Sequence, residues 1–440
     1  MSSEPVRSLR DFVSLQRGTT YKGNLVGLPG PVLLGLASIE ANGGFRHGGF
    51  KTYGGDCPEK ISLKSSDLYV SLKDVTQSGD LLGSVSRVPA EIKSGRLTQD
   101  TVKLVFDGLQ IKREYIYWLL RTPNYREYCR GCGTGTTTLG LARDDFLNYT
   151  VPPPTPADLV LVEVLEGVEK RITLLRETNA TLEAIAQALF RSWFVDFDPV
   201  HAKQQGLEPE GMDETTAALF PDSFEESELG LVPRGWRVAP FGDVVDSVGG
   251  GTPDTKEPSY WQPGVYCWTT PKDLSGIQVP VLLTTERKVS AKGLAKVSSG
   301  LLPAGTLLMS SRAPIGYLAI TDIPLAINQG YIAMRPNSEL PPLYMLFWCK
   351  ENMEVIKRRA NGSTFMEISK KSFRPIPALV PSTPVIAAFI GIAGALFERL
   401  VENEKQAQTL STLRDTLLPR LISGQLRLPE AAAILEEATA

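Results

Sequence analysis

The chain contains an internal repeat, and a repeat restricts the possible folds more than composition does. Phe146 recurs 227 residues later as Phe373, and the neighbouring motifs recur in the same order at nearly the same offset. The matched motifs are Gly135-Thr-Thr-Thr138 with Gly362-Ser-Thr-Phe365, Val151-Pro-Pro-Pro154 with Ala378-Leu-Val-Pro381, Ser78-Gly-Asp-Leu-Leu82 with Ala304-Gly-Thr-Leu-Leu308, and Leu97-Thr-Gln-Asp100 with Ile327-Asn-Gln-Gly330. The shared order and near-constant spacing predict two copies of one β-rich mixed domain.

A long helix is predicted after each copy, because apolar residues recur there at alternating intervals of three and four. The predicted seams contain Leu165, Ile172, Leu175, Asn179, Leu182 and Leu189 in the first helix, and Leu396, Leu400, Asn403, Leu410 and Leu417 in the second. Such a pattern is typical of a coiled coil, and a buried asparagine in the seam often fixes its register. Arg414 interrupts the second seam, where we expect Leu413 to substitute. The alternative is a helix that packs only on its own domain.

These patterns divide the chain into six segments. We predict a first domain over 1–154, a first helix over 155–198, a linker over 199–234, a second domain over 235–381, a second helix over 382–426 and a tail over 427–440. The linker is predicted from composition alone, because the segment is rich in proline and in acidic residues. Both domains and both helices therefore occur in the order domain, helix, domain, helix.

Composition excludes some classes of protein. The net charge of −3 argues against a uniformly basic binder, although it leaves room for a local basic face. Five cysteines in a chain of this length indicate reduced thiols rather than a disulfide framework. Met1–Phe12 has no apolar signal region, and the uncharged run Pro375–Phe397 is broken by prolines into pieces too short for a bilayer. We therefore expect a cytoplasmic protein without a membrane segment.

Two motifs carry a family resemblance, Gly362-Ser-Thr-Phe-Met-Glu-Ile-Ser-Lys-Lys-Ser-Phe373 and Ser192-Trp-Phe-Val-Asp-Phe-Asp-Pro199. With the alternation of domains and helices, they make nearly the whole chain resemble the specificity subunits of type I restriction–modification systems. The resemblance implies an α+β fold with two target-recognition domains, separated by two long antiparallel coiled-coil helices, in a pseudo-two-fold repeat. Each domain is then expected to recognise one half of a split, asymmetric DNA site.

The same resemblance implies partners. They are double-stranded DNA, two modification subunits that methylate adenine, and motor–nuclease restriction subunits. S-adenosylmethionine, ATP and Mg²⁺ would belong to those partners, and we expect this chain to bind no cofactor. The outer faces of the helices would dock the modification subunits, and Phe190, Trp193, Phe194 and Phe197 are more aromatic than an exposed surface normally is.

We find no catalytic motif and no metal site in the sequence. There is no Asn/Asp-Pro-Pro-aromatic motif for adenine methylation and no phosphate-binding Gly-x-x-x-x-Gly-Lys loop. Cys129-x-x-Cys132 is a lone pair, whereas zinc needs four ligands. Two alternative functions stay open at this point. One is a self-contained nuclease or methyltransferase, and the other is a coiled-coil scaffold whose domains bind protein or glycan.

Basic, amide and hydroxyl side chains in the repeat are the candidates for DNA contact. Gly permits close approach of the backbone to phosphate, and the side chains of Ser, Thr and Lys bind phosphate. Arg can recognise guanine edges and Gln can recognise adenine edges. The candidates are Arg87, Gln99, Thr136, Thr137, Thr138 and Arg143 in the first copy, and Arg312, Gln329, Ser363, Thr364, Lys370 and Lys371 in the second. Ordinary strand-end hydrogen bonds are the alternative role for Arg87, Gln99, Arg312 and Gln329.

Overall fold

The structure is a computed structural model that describes residues 7–76, 78–362 and 366–422, with side chains described as far as residue 416. The chain forms two compact units. The first unit consists of Met1–Ile172 and Gln408–Ala440, and the second unit consists of Thr173–Ala407. The predictions for Ser363, Thr364, the tail over 427–440 and the side chain of Leu417 concern positions outside the described residues.

The first unit contains eleven strands among its described residues, three short helices and the first half of a long one. The strands are β1 (Arg7–Ser8), β2 (Ser14–Arg17), β3 (Val32–Leu34), β4 (Ser62–Leu63), β5 (Leu68–Ser71), β6 (Lys73–Asp74), β7 (Val85–Arg87), β8 (Gly95–Leu97), β9 (Thr101–Val105), β10 (Leu139–Gly140) and β11 (Thr150–Val151). The helices are α1 (Arg113–Leu119), α2 (Pro123–Cys132), α3 (Arg143–Leu147) and α4 (Pro156–Phe194).

The second unit begins within α4 and continues with further short elements. Its helices are α5 (Asp198–Gln204), α6 (Glu214–Ala218), α7 (Phe241–Val244), α8 (Pro271–Leu274), α9 (Ala291–Leu294), α10 (Pro342–Glu351), α11 (Met353–Arg358), α12 (Lys370–Phe373) and the long α13 (Thr383–Ile422). The part of α13 from Gln408 onward belongs to the first unit. Its strands are β12 (Phe224–Ser227), β13 (Gly230–Pro233), β14 (Arg237–Pro240), β15 (Ser247–Val248), β16 (Tyr266–Thr269), β17 (Val281–Leu282), β18 (Arg287–Val289), β19 (Leu307–Ser310), β20 (Leu318–Thr321), β21 (Ala326–Ile327), β22 (Tyr331–Met334) and β23 (Pro377–Val380).

The two units share a sheet topology. The main sheet has the order β2-β9-β5-β7 in the first unit and β15-β22-β19-β20-β17 in the second, so the first four strands correspond. In both units the first strand of the domain pairs antiparallel with the strand before the long helix, as β1 with β11 and β14 with β23. Each unit also has a parallel pair, β3 with β8 and β16 with β21. The predicted internal repeat is therefore present in the strand order as well as in the sequence.

Both units are mixed α/β structures whose apolar cores lie between the sheet and the short helices. In the first unit, Ile116 on α1 and Phe146 on α3 are fully buried among side chains such as Val70 of the central strand. In the second unit, Phe373 on α12 packs at the corresponding place, against Phe241 and Trp348. The repeated phenylalanine is thus a core residue that holds the last short helix against the sheet.

The segment predicted as a linker is folded. It forms α5, α6 and the β12–β13 hairpin, whose strands pair antiparallel from Phe224 to Pro233. Val200, Phe220 and Val232 are each at most 3% exposed, and all three belong to the core of the second unit. Acidic residues and prolines dominate the composition here, but the few apolar residues are enough to anchor the segment.

The long helices begin within one residue of their predicted starts, and α4 ends at Phe194, four residues before its predicted end. At the start of α4, Thr155 and Asp158 form a capping box, in which the backbone N–H of each is accepted by the side chain of the other at 2.8 and 3.2 Å. By length and composition alone, Thr383–Thr416 of α13 could cross a membrane. Phe389, Ala393 and Leu400 on this helix are nevertheless buried in the protein. Its apolar face is therefore a packing face of the second unit.

Candidate nucleic-acid interface

In the second unit, backbone hydrogen bonds bring three of the predicted DNA-contact regions to one edge of the main sheet. The N–H of Ser311, just after β19, donates to the carbonyl of Gly330 at 2.8 Å, and the N–H of Ile368 donates to the carbonyl of Ser311 at 3.0 Å. Arg312, Gln329 and Lys370 are each within two residues of these bonds. We call this edge, with the Gly249–Thr252 loop that borders it, the second loop edge.

The Gly249–Thr252 loop lies against this edge at close range. Gly250 has no room for a side chain, because an added Cβ would lie 1.9 Å from the carbonyl oxygen of Ile327. A Cβ on Gly249 would lie 3.3 Å from Nζ of Lys370, and the hydroxyl of Thr252 donates to Oε1 of Gln329 at 2.5 Å. The glycines therefore leave partly exposed backbone beside a lysine, which is an arrangement suited to phosphate.

The candidate side chains at the second loop edge are accessible. Gln329, Lys370 and Lys371 are exposed, and the Arg312 side chain is 38% exposed. Arg312 lies 3.6 Å from Glu367, in an ion pair that is open to solvent. Such a pair is weak, so the guanidinium can exchange its carboxylate for another acceptor at little cost. The edge can accordingly offer two lysines to phosphates and an arginine and a glutamine to base edges.

The first unit has the same pair of backbone hydrogen bonds at the same place. The N–H of Leu72, just after β5, donates to the carbonyl of Asp100 at 3.3 Å, and the N–H of Leu141 donates to the carbonyl of Leu72 at 2.9 Å. Gln99 and Arg143 are both exposed beside these bonds. Arg143 is the first residue of α3, as Lys370 is the first residue of α12, and the two differ by the repeat offset of 227. We call this the first loop edge.

The threonine-rich loop also lies at the first loop edge. Thr134 and Gly140 exchange two backbone hydrogen bonds, of 3.0 and 2.8 Å, and so close the loop between them. Gly135 has a φ of 119°, and a Cβ there would lie 2.2 Å from the carbonyl oxygen of Thr138, so the turn requires glycine. Within this closed loop Thr136, Thr137 and Thr138 are exposed. Their hydroxyls are placed where they could donate to a phosphate.

Arg87 has a different environment from Arg312, although the sequence aligned the two. Its guanidinium donates to both carboxylate oxygens of Glu166 on α4, at 2.9 and 2.8 Å, and lies 4.5 Å from the ring centre of Tyr117. Its role is therefore the alternative one, a strand-end residue in structural contacts. The sequence match between Ser78–Leu82 and Ala304–Leu308 is wrong, because β19 corresponds to β5 in strand pairing and not to the segment before β7.

Comparison with known proteins shows what the chain is similar to. Residues 233–416 match the family model described as type I restriction modification DNA specificity domain. The chain is 36% identical over 185 residues to the MjaIX specificity subunit of Methanocaldococcus jannaschii, covering 42% of each chain. The match spans less than half the length of that relative. The chain is thus similar to specificity subunits of type I restriction–modification systems.

Two further matches extend over most of the chain. It is 28% identical over 321 residues to the HindI specificity subunit of Haemophilus influenzae, which covers 64% of this chain and 69% of that one. A crystal structure of the S subunit from M. genitalium aligns with 96% of this chain and 97% of its own, with 15% sequence identity and a TM-score of 0.49.

The long helices α4 and α13 contact each other through a buried pair of asparagines. Nδ2 of Asn403 donates to Oδ1 of Asn179 at 2.9 Å, and Nδ2 of Asn179 donates to the carbonyl of Leu400 at 3.2 Å. Both asparagines are at most 2% exposed. Within the second unit, Phe190 contacts Phe389 while Asn179 contacts Asn403, so α4 and α13 run in opposite directions there. The two seam amides, at non-equivalent positions in the repeat, satisfy each other.

The remaining seam residues divide between buried and partly buried. Leu165, Ile172, Leu175, Leu400 and Leu410 are each at most 4% exposed. Leu182, Leu189 and Leu396 are partly buried against neighbouring apolar clusters. The expectation that Leu413 replaces Arg414 in the seam is wrong, because Arg414 is the buried residue and Leu413 is partly exposed. An arginine is tolerated there because it has an acidic partner on α4.

That partner belongs to a charged cluster in the first unit. Glu169 on α4 accepts from Arg414 at 2.7 Å and from Arg121 at 3.3 Å. Trp118 on α1 donates its indole N–H to Glu166, one turn earlier on α4, at 2.7 Å. Burial by itself would raise the pKa of Glu169, but the nearby arginines, Arg414 foremost, hold it below its ordinary value. We call these residues, with Arg87, the charged cluster.

The prediction that the aromatic residues at the end of α4 form an exposed docking face is wrong. Phe190, Trp193 and Phe194 are at most 5% exposed, and Phe197 is partly buried in the same core. The ring centres of Phe190 and Phe194 lie 5.1 and 5.0 Å from that of Tyr344 on α10. These aromatic residues attach the second unit's own domain to its helices.

Sequence reasoning missed two basic residues of the first loop edge. Lys73 directly follows Leu72, and Arg17 lies at the end of β2 with its Nε 3.4 Å from the carbonyl of Gln99. Only strand pairing reveals these positions, because no sequence motif aligns them with the second copy.

Proposed function

We propose that this chain is the DNA-recognition subunit of a type I restriction–modification complex and performs no catalysis itself. The first unit would recognise one half of a split, asymmetric DNA site and the second unit the other half. The observation that carries this proposal is the duplicated loop edge, in which one backbone arrangement presents different side chains in the two units. A shared framework with different exposed residues is what two readers of different half-sites need.

The partners and cofactors belong to the same proposal. Two modification subunits would methylate adenine with S-adenosylmethionine, and motor–nuclease subunits would use ATP and Mg²⁺, all in the cytoplasm. Among the described residues, no group of three or more His, Cys, Asp or Glu side chains is arranged to hold a metal ion. The chain's contribution would then be binding and positioning, with phosphate contacts from Lys370, Lys371 and Arg143 and base contacts from Arg312 and Gln329.

The long helices would form an antiparallel coiled-coil spacer between the two recognition domains. Support comes from their lengths, 39 residues for α4 and 40 for α13, and from the paired asparagines of the second unit. A helix rises about 1.5 Å per residue, so each of them is roughly 60 Å long. Such a spacer would set the number of base pairs between the half-sites.

The decisive experiment is a map of methylated adenines. A host that lacks adenine methylation would receive the modification subunits of the source genome with the wild-type chain, without it, or with 1–154 replaced by the first domain of another family member. We expect a two-part motif with the wild-type chain, none without it, and a motif changed in one half only with the exchanged domain. The map also gives the spacer length. Absence of any motif, or a change in both halves, would contradict the proposal.

A further inference from the structure

The position that follows the central strand is the same in both loop edges. Leu72 in the first unit and Ser311 in the second each form the two backbone hydrogen bonds described above. The next residue is Lys73 in one unit and Arg312 in the other. Lys73 pairs antiparallel with Gly140, and Arg312 pairs antiparallel with Glu367. Gly140 and Glu367 are separated by the repeat offset of 227. Lys73 is therefore the structural counterpart of Arg312.

The two cations also share an electrostatic environment. Nζ of Lys73 lies 2.8 Å from Asp100, with the lysine side chain 47% exposed, and Arg312 lies 3.6 Å from Glu367, with its side chain 38% exposed. Both are thus held by a single carboxylate at the surface. Both cations are more than a third exposed, so each pair contributes little to stability and either cation can leave its carboxylate for a stronger acceptor.

Arg87 is less exposed than Lys73 and Arg312 and is held by more contacts than either. Its side chain is 24% exposed, it forms a two-pronged contact with Glu166, and it lies over the ring of Tyr117. Releasing it would break part of the charged cluster that joins α1 and α4. A residue with that role is poorly suited to exchange partners on binding DNA.

We propose that Lys73 is a specificity-determining residue of the first unit, which recognises a guanine edge in the half-site that this unit reads. This inference rests on the proposed function. A lysine ammonium can donate to O6 and N7 of guanine in the major groove, as an arginine can. The side chain occupies the position that Arg312 occupies in the second unit, so the two cations act on opposite half-sites.

The test uses the whole complex and the methylated-adenine map. Lys73→Ala should lower discrimination at one guanine position in the first half of the motif by roughly tenfold or more, with the second half unchanged. Lys73→Arg should keep that guanine. Arg312→Ala should relax one position in the other half. The thermal melting temperature of Lys73→Ala should fall by no more than a few degrees, because the lysine side chain is 47% exposed although Asp100 is only 24% exposed.

Lys112→Ala is the matched control, since Lys112 is also an exposed lysine of the first unit with one carboxylate partner, Glu163 at 3.7 Å. It should leave the motif unchanged. An unaltered motif with Lys73→Ala, or relaxation of the same half by Lys73→Ala and Arg312→Ala, would overturn the inference while the wild-type motif still supports the proposed function. If the wild-type chain gives no motif, the proposed function itself fails.

Discussion

The first and second units attach similar domains to the same helices with different chemistry. In the second unit the contact is aromatic, with Phe190 and Phe194 of α4 packed on Tyr344 of α10 and on Phe389 of α13. In the first unit the corresponding short helix is α1, and it packs on α4 through apolar side chains such as Ile116 and Leu161. The charged cluster adds an ion pair between Arg121, just after α1, and Glu169. The second unit has its own ion pair at this place, between Lys350 of α10 and Glu183 of α4, so the two units combine apolar and ionic contacts in different proportions.

The difference has consequences for how each unit responds to solution conditions. Aromatic packing depends on buried area and shape and is insensitive to pH and salt. A partly buried ion pair depends on charge, and removing one partner leaves the other charge uncompensated. We therefore expect the first unit to respond to pH, and the second unit to respond mainly to changes in side-chain volume.

The largest effect is expected for Phe389→Ala. Phe389 is fully buried and contacts Phe190, Trp193, Phe194 and Phe347. Removing a buried phenylalanine costs about 3–5 kcal/mol, from lost burial and the cavity left behind. Urea denaturation, with hydrogen exchange to locate the change, should show the loss in the second unit, to the same extent at low and high salt. A loss confined to the first unit would contradict this assignment.

A smaller but condition-dependent effect is expected for Glu169→Gln. The neutral amide leaves Arg121 and Arg414 without their shared carboxylate, and we expect a loss of about 2–3 kcal/mol in the first unit. Trp118 on α1 contacts Glu166 on α4, so urea denaturation with hydrogen exchange of α1 should locate the loss in the first unit. The control is Glu163→Gln, whose side chain is 70% exposed and which should change stability by less than about 0.5 kcal/mol.

The pH dependence of the wild type follows from the lowered pKa of Glu169. The carboxylate stabilises the folded first unit at pH values above its ordinary pKa of 4.5, and this contribution is lost as pH falls from there through the lower folded-state pKa. Glu169→Gln should remove this part of the acid sensitivity. Equal acid sensitivity of variant and wild type would show that the charged cluster does not distinguish the two units.

The smallest effect is expected for the asparagine pair. Asn403→Ala leaves the buried amide of Asn179 with one partner fewer, and we expect a loss of about 1–2 kcal/mol in the second unit. The double variant Asn179→Leu with Asn403→Leu should recover most of that loss, because neither amide is then left unpaired. If Asn403→Ala and the double variant lose the same stability, the two asparagines do not stabilise each other.

The repeat, the seams and the short aromatic helices could be predicted from the sequence because they depend on local periodicity. Pairing between distant strands could not, and the misalignment of Arg87 with Arg312 follows from that. A Gly-x-Leu-Leu pattern occurs before β7 and within β19, yet only strand pairing shows that β19 corresponds to β5. Lys73 was missed for the same reason.

Composition also misled where a few side chains decide the outcome. The acidic segment over 199–234 is folded because Phe220 and Val232 are buried in the second unit. The aromatic face of α4 was predicted to be exposed because its partner, α10, is about 150 residues away in sequence. Arg414 could not be recognised as a seam residue without knowing that Glu169 lies opposite. Each of these depends on a contact between distant parts of the chain.

The asparagine pair determines which helix can pair with which. The repeat offset of 228 places Ala407 at the position equivalent to Asn179, and Leu175 at the position equivalent to Asn403. If α4 paired with a second copy of α4, the amide of Asn179 would meet a leucine and stay unsatisfied, at about 1–3 kcal/mol for each copy. The same holds for two copies of α13, where Asn403 would meet an alanine. Each long helix therefore pairs poorly with a copy of itself and well with the other long helix. The pairing of two different halves within one chain is favoured over the pairing of two identical halves.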